Sequence, residues 1–222
     1  MKMYRLFELL NPNQVTRLRE IARGAAWVDG RITNPTNIGK KNEQLQEGPA
    51  REESGAMLAK ALGANNIFND FALPVAVALP LLSRYSPGMG YALHGDNAYL
   101  PLGNLTIRND LACTIFLADP TSYDGGALVI HSGDVCASFK LPAGHAILYP
   151  ANTPHEVEQV TRGERLAAFT FIQSRIADPG RRGIVSELGT LARCEREHLD
   201  PGAQARLLVV QQNLLREWGD AP

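Results

Sequence analysis

The chain has 222 residues, a formal net charge of −1, 45% hydrophobic residues and 20% charged ones. That length can bury one large core without requiring two domains, and the balanced charge offers no basic excess to draw nucleic acid or an anionic membrane as a partner. No apolar run approaches the roughly 20 residues of a bilayer span, the segment at residues 6–10 is too short and too acidic for a signal peptide, and Cys113, Cys136 and Cys194 are odd in number and far apart, which fits a reducing, cytoplasmic setting better than a disulfide framework.

Asn11-Pro12 reads as an N-cap followed by proline at the first helical position. Val15, Leu18, Ile21 and Ala22 then recur at helical spacing until Gly24, and a second helix is expected over residues 52–62. Between them, residues 34–48 are polar and irregular, a solvated loop or a flap. From about Leu73 the texture changes. Eight short apolar segments (75–85, 90–94, 111–118, 127–130, 135–141, 146–149, 155–160 and 166–172) alternate with turn residues and have no helical crossovers between them. That pattern predicts an antiparallel sandwich or barrel. After about Gly183 helical spacing returns. The expected organisation is a single domain: helical support and a polar loop over 1–72, a β core over 73–175 and a helical extension over 176–222.

Tyr85–Asn97, "YSPGMGYALHGDN", is the stretch with chemistry in it. Gly88 and Gly90 suggest a phosphate loop, but the third glycine, the lysine and the βαβ setting are missing. His94 and Asp96 are two apart, so they share a face if the strand runs through both. An imidazole and a carboxylate make two thirds of a facial triad suited to non-haem Fe(II). The pair is weak alone and needs a second histidine. His131 and His145 sit beside turns and His198 in the helical tail, all expected to face solvent. His155 enters a strand after the rigid "YPANTP". Arg165 heads an apolar strand, and a buried guanidinium requires an anionic partner: Glu164, Glu156 or a carboxylate ligand held in a fork. For Arg165 to face His155, the turn at Arg162-Gly163 is expected to be a three-residue hairpin loop or a bulge.

His94-x-Asp96, His155 and Arg165, in this order and spacing, resemble the Fe(II)/2-oxoglutarate-dependent dioxygenases of the prolyl-4-hydroxylase-like group, and within it the bacterial PKHD-type hydroxylases. The resemblance runs through "RYSPGMGYALHGDNA" (84–98), "IRNDLACTIFLADPTSYDGG" (107–126), "LPAGHAILYPANTPHEVEQVTRGER" (141–165) and "FTFIQS" (169–174), with "AAWVDGR" and "KKNEQLQ" nearer the N-terminus. It implies a mainly β fold with flanking helices around a double-stranded β-helix, the cupin-like jelly roll. It implies Fe(II) on His94, Asp96 and His155, with 2-oxoglutarate as cosubstrate, its distal carboxylate on Arg165, O2 as oxidant and ascorbate as a reductant. The reaction implied hydroxylates a small molecule, amino acid or peptide while 2-oxoglutarate becomes succinate and CO2. Tyr85 and Thr114 are candidate cosubstrate contacts, the latter because Phe116 stands where related enzymes often place a tyrosine. Asn97 is a candidate support for Asp96, and Lys41, Asn42 and Gln44 are candidates for the substrate entrance. Ala127, His145 and Phe171 depart from the family pattern without touching the proposed ligands. Two other readings remain at this point: a non-enzymatic cupin-like metal- or ligand-binding module, and a zinc hydrolase, which lacks an evident general base. The C-terminal helices are expected either to cap the barrel or to pair two chains as a homodimer.

Overall fold

Six consecutive residues, Leu111–Phe116, are buried without a break. A strand reads this way only when both its faces are covered. This strand, β10, lies in the middle of a large antiparallel sheet whose one face packs on helices and whose other face packs on a second sheet. Leu111, Cys113 and Ile115 join the cluster beneath the helices, whereas Ala112 and Phe116 join the cluster between the sheets.

The computed structural model describes residues 4–220, so the outer ends of the first and last expected segments fall outside it. Among the described residues the strands are β1 (Arg5–Glu8), β2 (Trp27–Asp29), β3 (Lys40–Lys41), β4 (Glu43–Leu45), β5 (Pro74–Val77), β6 (Leu81–Tyr85), β7 (Gly90–His94), β8 (Tyr99–Leu102), β9 (Leu105–Arg108), β10, β11 (Leu128–Ser132), β12 (Val135–Phe139), β13 (His145–Pro150), β14 (His155–Val157) and β15 (Arg165–Ser174). The helices are α1 (Pro12–Gly24), α2 (Pro49–Ala64), α3 (Asn66–Ala72), α4 (Pro179–Cys194) and α5 (Pro201–Trp218). The major sheet has the order β1-β13-β10-β15-β6-β4-β2, with β5 pairing the far half of β15, and the minor sheet has the order β12-β11-β14-β7-β3. The two sheets form an open jelly roll of antiparallel strands, the fold class expected from the sequence.

Local rules account for most element ends. Asn11 caps α1 in a reciprocal pair with Gln14. Asp178-Pro179 and Asp200-Pro201 start α4 and α5 in the same cap-then-proline manner. Leu18, Leu58, Leu62 and Phe68 of the first three helices are fully buried against the major sheet, each worth roughly 1.5–3 kcal/mol of apolar burial. Residues 4–72 are more than helical support, however. They supply strands β1 to β4, and the polar stretch expected as a loop or flap contains β3 and β4. β3 pairs with β7 in the minor sheet and β4 with β6 in the major one, so this segment stitches the two sheets along one side of the space between them. Among the described residues no helix is long and apolar enough to cross a membrane.

The expected hairpin between His155 and Arg165 does not form. β14 belongs to the minor sheet and β15 to the major sheet, and residues 158–164 carry the chain from one to the other. The two side chains converge because the sheets face each other, not because of turn length. The crossing segment is gripped by "YDGG". Asp124 N–H donates to the Arg162 carbonyl and Thr161 N–H to the Asp124 carbonyl, at 2.9 Å each. Gly125, at φ 68°, comes so close to the crossing segment that an added Cβ would lie 2.0 Å from the Gln159 carbonyl oxygen. On the crossing side, a Cβ on Gly163, at φ 73°, would lie 2.2 Å from the carbonyl oxygen of Ser122. Both positions therefore demand glycine for conformation and for space.

This grip predicts a contrast. Gly125→Ala must relieve both a left-handed strain and a collision with rigid backbone, and is expected to lower unfolding free energy by about 2 kcal/mol or more in urea titration. Asp124→Ala removes only the exposed ion pair to Arg162 and is expected to leave the melting temperature near that of the wild type. Equal losses in the two variants would contradict a backbone-mediated grip.

Candidate metal centre

β7 and β14 lie side by side with His94 opposite His155, but Tyr91 is opposite Val157. Three steps along β7 thus match two along β14, which is a β-bulge. In a regular strand residues 91 and 94 point to opposite faces; the extra residue turns both inward. Tyr91 then stacks on His94, with ring centroids 3.6 Å apart and planes 18° apart.

β7 ends at His94, so Asp96 does not reach its place by strand alternation as expected. It stands in the following loop, tied by its N–H to the Ala151 carbonyl at 3.3 Å. The same Pro-rich turn holds His155. One ligating atom from each of His94, Asp96 and His155 lies within 4.8 Å of the others. His94 Nε2 is 4.0 Å and His155 Nε2 3.8 Å from Asp96 Oδ1.

The rings are set by their other nitrogens. His94 Nδ1 is 2.8 Å from the Ala92 carbonyl oxygen and His155 Nδ1 is 2.9 Å from that of Thr153. A carbonyl only accepts, so each Nδ1 carries the proton and each Nε2 offers its lone pair inward. Burial, with the neighbouring His155 second, pushes the His94 pKa down to about 4 and keeps the ring in its ligating form. Burial pushes Asp96 up to about 6, and its buried Oδ2 has no hydrogen-bond partner. Two neutral imidazoles and an under-satisfied carboxylate converging on one point fit a divalent cation, and this donor set suits Fe(II).

A cavity of about 460 Å³ opens from this point between the sheets. Arg165 lines it and is 2% exposed. Neither Glu164 nor Glu156 pairs with it: Glu164 is exposed, and Glu156 faces His131 at 3.2 Å. Among the described residues no carboxylate forms a salt bridge with Arg165, and its Nε has no partner. Its guanidinium lies 4.9 Å from the ring centroid of Tyr85 and 5.7 Å from that of Phe116, contacts that partly offset a buried positive charge. Burial pushes the Tyr123 hydroxyl pKa up and the nearby Arg165 guanidinium draws it back down, so the two groups are close neighbours.

The remaining candidates sort by geometry. Tyr85 is directly across from Arg165 on β6, and its hydroxyl accepts from Asn42 Nδ2 at 3.1 Å. Thr114 is buried in the cavity wall, its hydroxyl beside that of Tyr149, whose pKa burial raises well above its usual value. Asn97 lines the cavity, but no hydrogen bond joins its side chain to Asp96; its carbonyl accepts from Asn109 instead. Of the entrance trio, only Asn42 lines the cavity. Lys41 points to solvent, and Gln44 Nε2 props the hydroxyl of Thr33 at 3.1 Å. Residues 40, 42 and 44 are buried while 41 is exposed. The cavity lysine is therefore Lys40, a position that strict period-two alternation through "KKNEQ" would have selected. His131 is only partly exposed, His145 is partly buried, and His198 is exposed as expected.

A model described as the 2OG-Fe(II) oxygenase superfamily matches residues 80–173. Over 216 residues the chain is 48% identical to a PKHD-type hydroxylase of Sphingopyxis alaskensis, covering 97% of this chain and 99% of that protein. It is 41% identical to a PKHD-type hydroxylase of Gluconacetobacter diazotrophicus, covering 95% and 96%. Among solved structures, a prolyl-4-hydroxylase from Pseudomonas putida matches with a TM-score of 0.54 at 20% identity, over 78% of this chain and 93% of that one. A Trichoplax adhaerens prolyl hydroxylase, solved with a hypoxia inducible factor oxygen degradation domain peptide fragment, matches with a TM-score of 0.57 at 14% identity, over 78% and 84%. At such identities the two structures speak for a common fold.

The metal-free centre has a defined pH signature. The unfolded chain ionises Asp96 from its ordinary value of 3.8, while the fold resists ionisation up to about pH 6, so Asp96 removes stability as pH rises between those values. His94 acts oppositely: the fold keeps it neutral down to about pH 4, whereas the unfolded chain takes up the proton from 6.5, so stability rises with pH over nearly the same window. The two slopes offset one another in the wild type. Asp96→Asn removes only the first. Its metal-free unfolding free energy is expected to climb between pH 4 and 6.5 and to exceed the wild type at pH 7.5 by on the order of 1–3 kcal/mol, while a divalent cation no longer raises its melting temperature. A variant less stable than wild type at pH 7.5 would refute this account of the buried carboxylate.

Proposed function

The chain belongs to the PKHD-type hydroxylases of the 2OG-Fe(II) oxygenase superfamily, and from that membership we propose that His94, Asp96 and His155 hold the Fe(II) of an oxygenase while Arg165 clamps the distal carboxylate of 2-oxoglutarate. As a member it is an Fe(II)- and 2-oxoglutarate-dependent hydroxylase, acting on a small molecule, amino acid or peptide. The observation that carries the assignment of residues is the guanidinium of Arg165, buried in the same cavity as the three ligands and without a carboxylate partner among the described residues.

With O2, the bound Fe(II) and 2-oxoglutarate supply the oxidising chemistry, which consumes the cosubstrate to succinate and CO2 as the substrate gains a hydroxyl. This chain's residues bind, orient and shield. The carbonyls of Ala92 and Thr153 fix the two imidazoles before any metal arrives. Arg165 presents a rigid fork that matches a carboxylate, and Tyr85, its neighbour across the strands, adds a hydroxyl. Thr114 and Tyr149 offer two more hydroxyls to the cosubstrate from the cavity wall. The cupin-like binding-module reading gives the unpaired Arg165 no task. The zinc-hydrolase reading lacks a general base, because Asp96 is the one carboxylate lining the cavity among the described residues.

Outside the cavity, α5 buries none of its side chains and leaves Leu208, Val209 and Val210 exposed. α4 and α5 pack on the helical layer through α3, away from the cavity. This supports pairing of two chains over capping of the barrel, and a monomer mass in sedimentation equilibrium at micromolar concentration would remove the homodimer.

The test of the oxygenase assignment is succinate production. The protein, loaded anaerobically with Fe(II) and 2-oxoglutarate and then exposed to O2 with ascorbate present, is expected to form succinate even without its substrate, at a slow uncoupled rate. His155→Ala is expected to abolish it. Arg165→Met loses a charge-assisted contact of ~1.5–3 kcal/mol, so the KM for 2-oxoglutarate rises roughly 10- to 150-fold. Wild-type affinity for 2-oxoglutarate in Arg165→Met would sink the clamp.

A further inference from the structure

One charged group in the cavity has no part in the assignments above. Lys40 is 5% exposed and lines the cavity. Its ammonium has three donors, and the hydrogen bond it makes is to Thr33 Oγ1, at 2.6 Å. Among the described residues no salt bridge includes it. Asp29, one of the two carboxylates that act on it at a distance, is already held by Arg31; the other, Asp96, is committed to the metal centre. A buried ammonium lacking an adjacent counter-charge is costly, and its lowered pKa, about 8, has burial as the main cause.

Its position sets it apart from the cosubstrate clamp. The ammonium lies 5.3 Å from the ring centroid of Tyr91, which itself stacks on His94, and 6.0 Å from that of Phe169. Phe169 follows Arg165 by four residues on β15, about 13 Å along an extended strand. The cavity therefore has two cationic poles. One is beside Tyr85 and Phe116, the other beside the aromatic rings that border the metal centre. A single five-carbon diacid that chelates the metal and reaches Arg165 leaves the Lys40 pole unanswered. Arg51, also in the cavity wall, is paired with Glu47 at 3.3 Å, but Lys40 and Arg165 have no salt bridge among the described residues and face a single lining carboxylate, Asp96, so the lining favours an anionic guest.

We propose that Lys40 is the anchor for a carboxylate on the organic substrate, whose apolar body packs on Tyr91 and Phe169. The substrate class is then a carboxylic acid with an apolar or aromatic portion, an amino-acid derivative or peptide terminus included. This rests on the oxygenase reading for what happens to the substrate, but not for its binding. Thr33 is a positioning residue: Gln44 and Lys40 both donate to its hydroxyl, which in turn donates to the Gly30 carbonyl.

The test uses the full chain with Zn(II) in place of Fe(II) and saturating 2-oxoglutarate, so that no turnover occurs. Benzoate, phenylacetate and N-acetylglycine are titrated by calorimetry against their primary amides. The acids are expected to bind at least tenfold tighter than the amides. Lys40→Met is expected to erase that preference, Lys40→Arg to keep most of it, and both to bind metal and 2-oxoglutarate as the wild type does. Equal affinities for acids and amides in the wild type, or no measurable binding of any acid, would overturn the proposal without recourse to a variant. So would a Lys40→Met protein that loses 2-oxoglutarate and keeps its preference for acids, because Lys40 would then serve the cosubstrate. Failure of the wild type to bind Zn(II) and 2-oxoglutarate at all would instead strike the metal and clamp assignments.

Discussion

The Arg165 guanidinium lies almost out of reach of water with no carboxylate beside it among the described residues, and much of the architecture follows from placing it there. A buried unpaired charge is worth several kcal/mol against the fold, a large fraction of the 5–15 kcal/mol by which domains are stable at all. The surroundings limit that cost without removing the charge. Two aromatic rings face the guanidinium, its stem packs beside Gly126, and the "YDGG" segment holds the chain that leads into β15. An anion that binds here stabilises the folded state by mass action, so the strain left in the free protein reappears as affinity.

The separation of roles between the two sheets explains how a small β core builds such a site. The minor sheet carries both imidazoles, on adjacent strands β7 and β14. The major sheet carries Arg165 and Tyr85, on adjacent strands β15 and β6. Each pair is fixed by ladder hydrogen bonds within its own sheet, and the cavity is the gap between the pairs. The N-terminal segment then contributes Lys40 from β3, which pairs with β7, and Asn42 from the link between β3 and β4, the latter pairing with β6, so the segment that joins the sheets also walls the cavity.

Much of this was legible in the sequence, and the failures have physical causes. The alternation of apolar segments and turn residues located most core strands, β7 with its observed ends, and asparagine-proline marked the start of α1. What the sequence missed was non-local or too short for a period. β3 has two residues, below the length at which alternation can be read, and β14, expected over 155–160, stops at Val157 because the chain there leaves the minor sheet. The β8–β9 hairpin turns at Gly103-Asn104, but Pro101 inside β8 argues against a strand there. The His155–Arg165 relation was misjudged because neighbours in sequence were assumed to be neighbours in a hairpin, whereas the chain changes sheets between them. His94 and Asp96 were right as a pair for a reason only half right, since the strand stops at the histidine. Lys40 was passed over for Lys41 although burial at 40, 42 and 44 is the ordinary pleat.

The bulge in β7 shows why a regular sheet would not suffice. A straight strand offers every second residue to the interior, so His94 would be accompanied inward by Ala92 and Gly90, which carry no side-chain chemistry. One inserted residue brings Tyr91 inward as well. Its ring then stacks on His94 and has the Lys40 ammonium 5.3 Å from its centroid, and its hydroxyl accepts from Asn34 Nδ2 at 2.9 Å. A single backbone irregularity thus links the imidazole of the metal centre to the second cationic pole through one stacked ring. Any group bound at Lys40 shares a wall with the metal centre, which is the spatial relation a hydroxylase needs between the handle of its substrate and the carbon it oxidises.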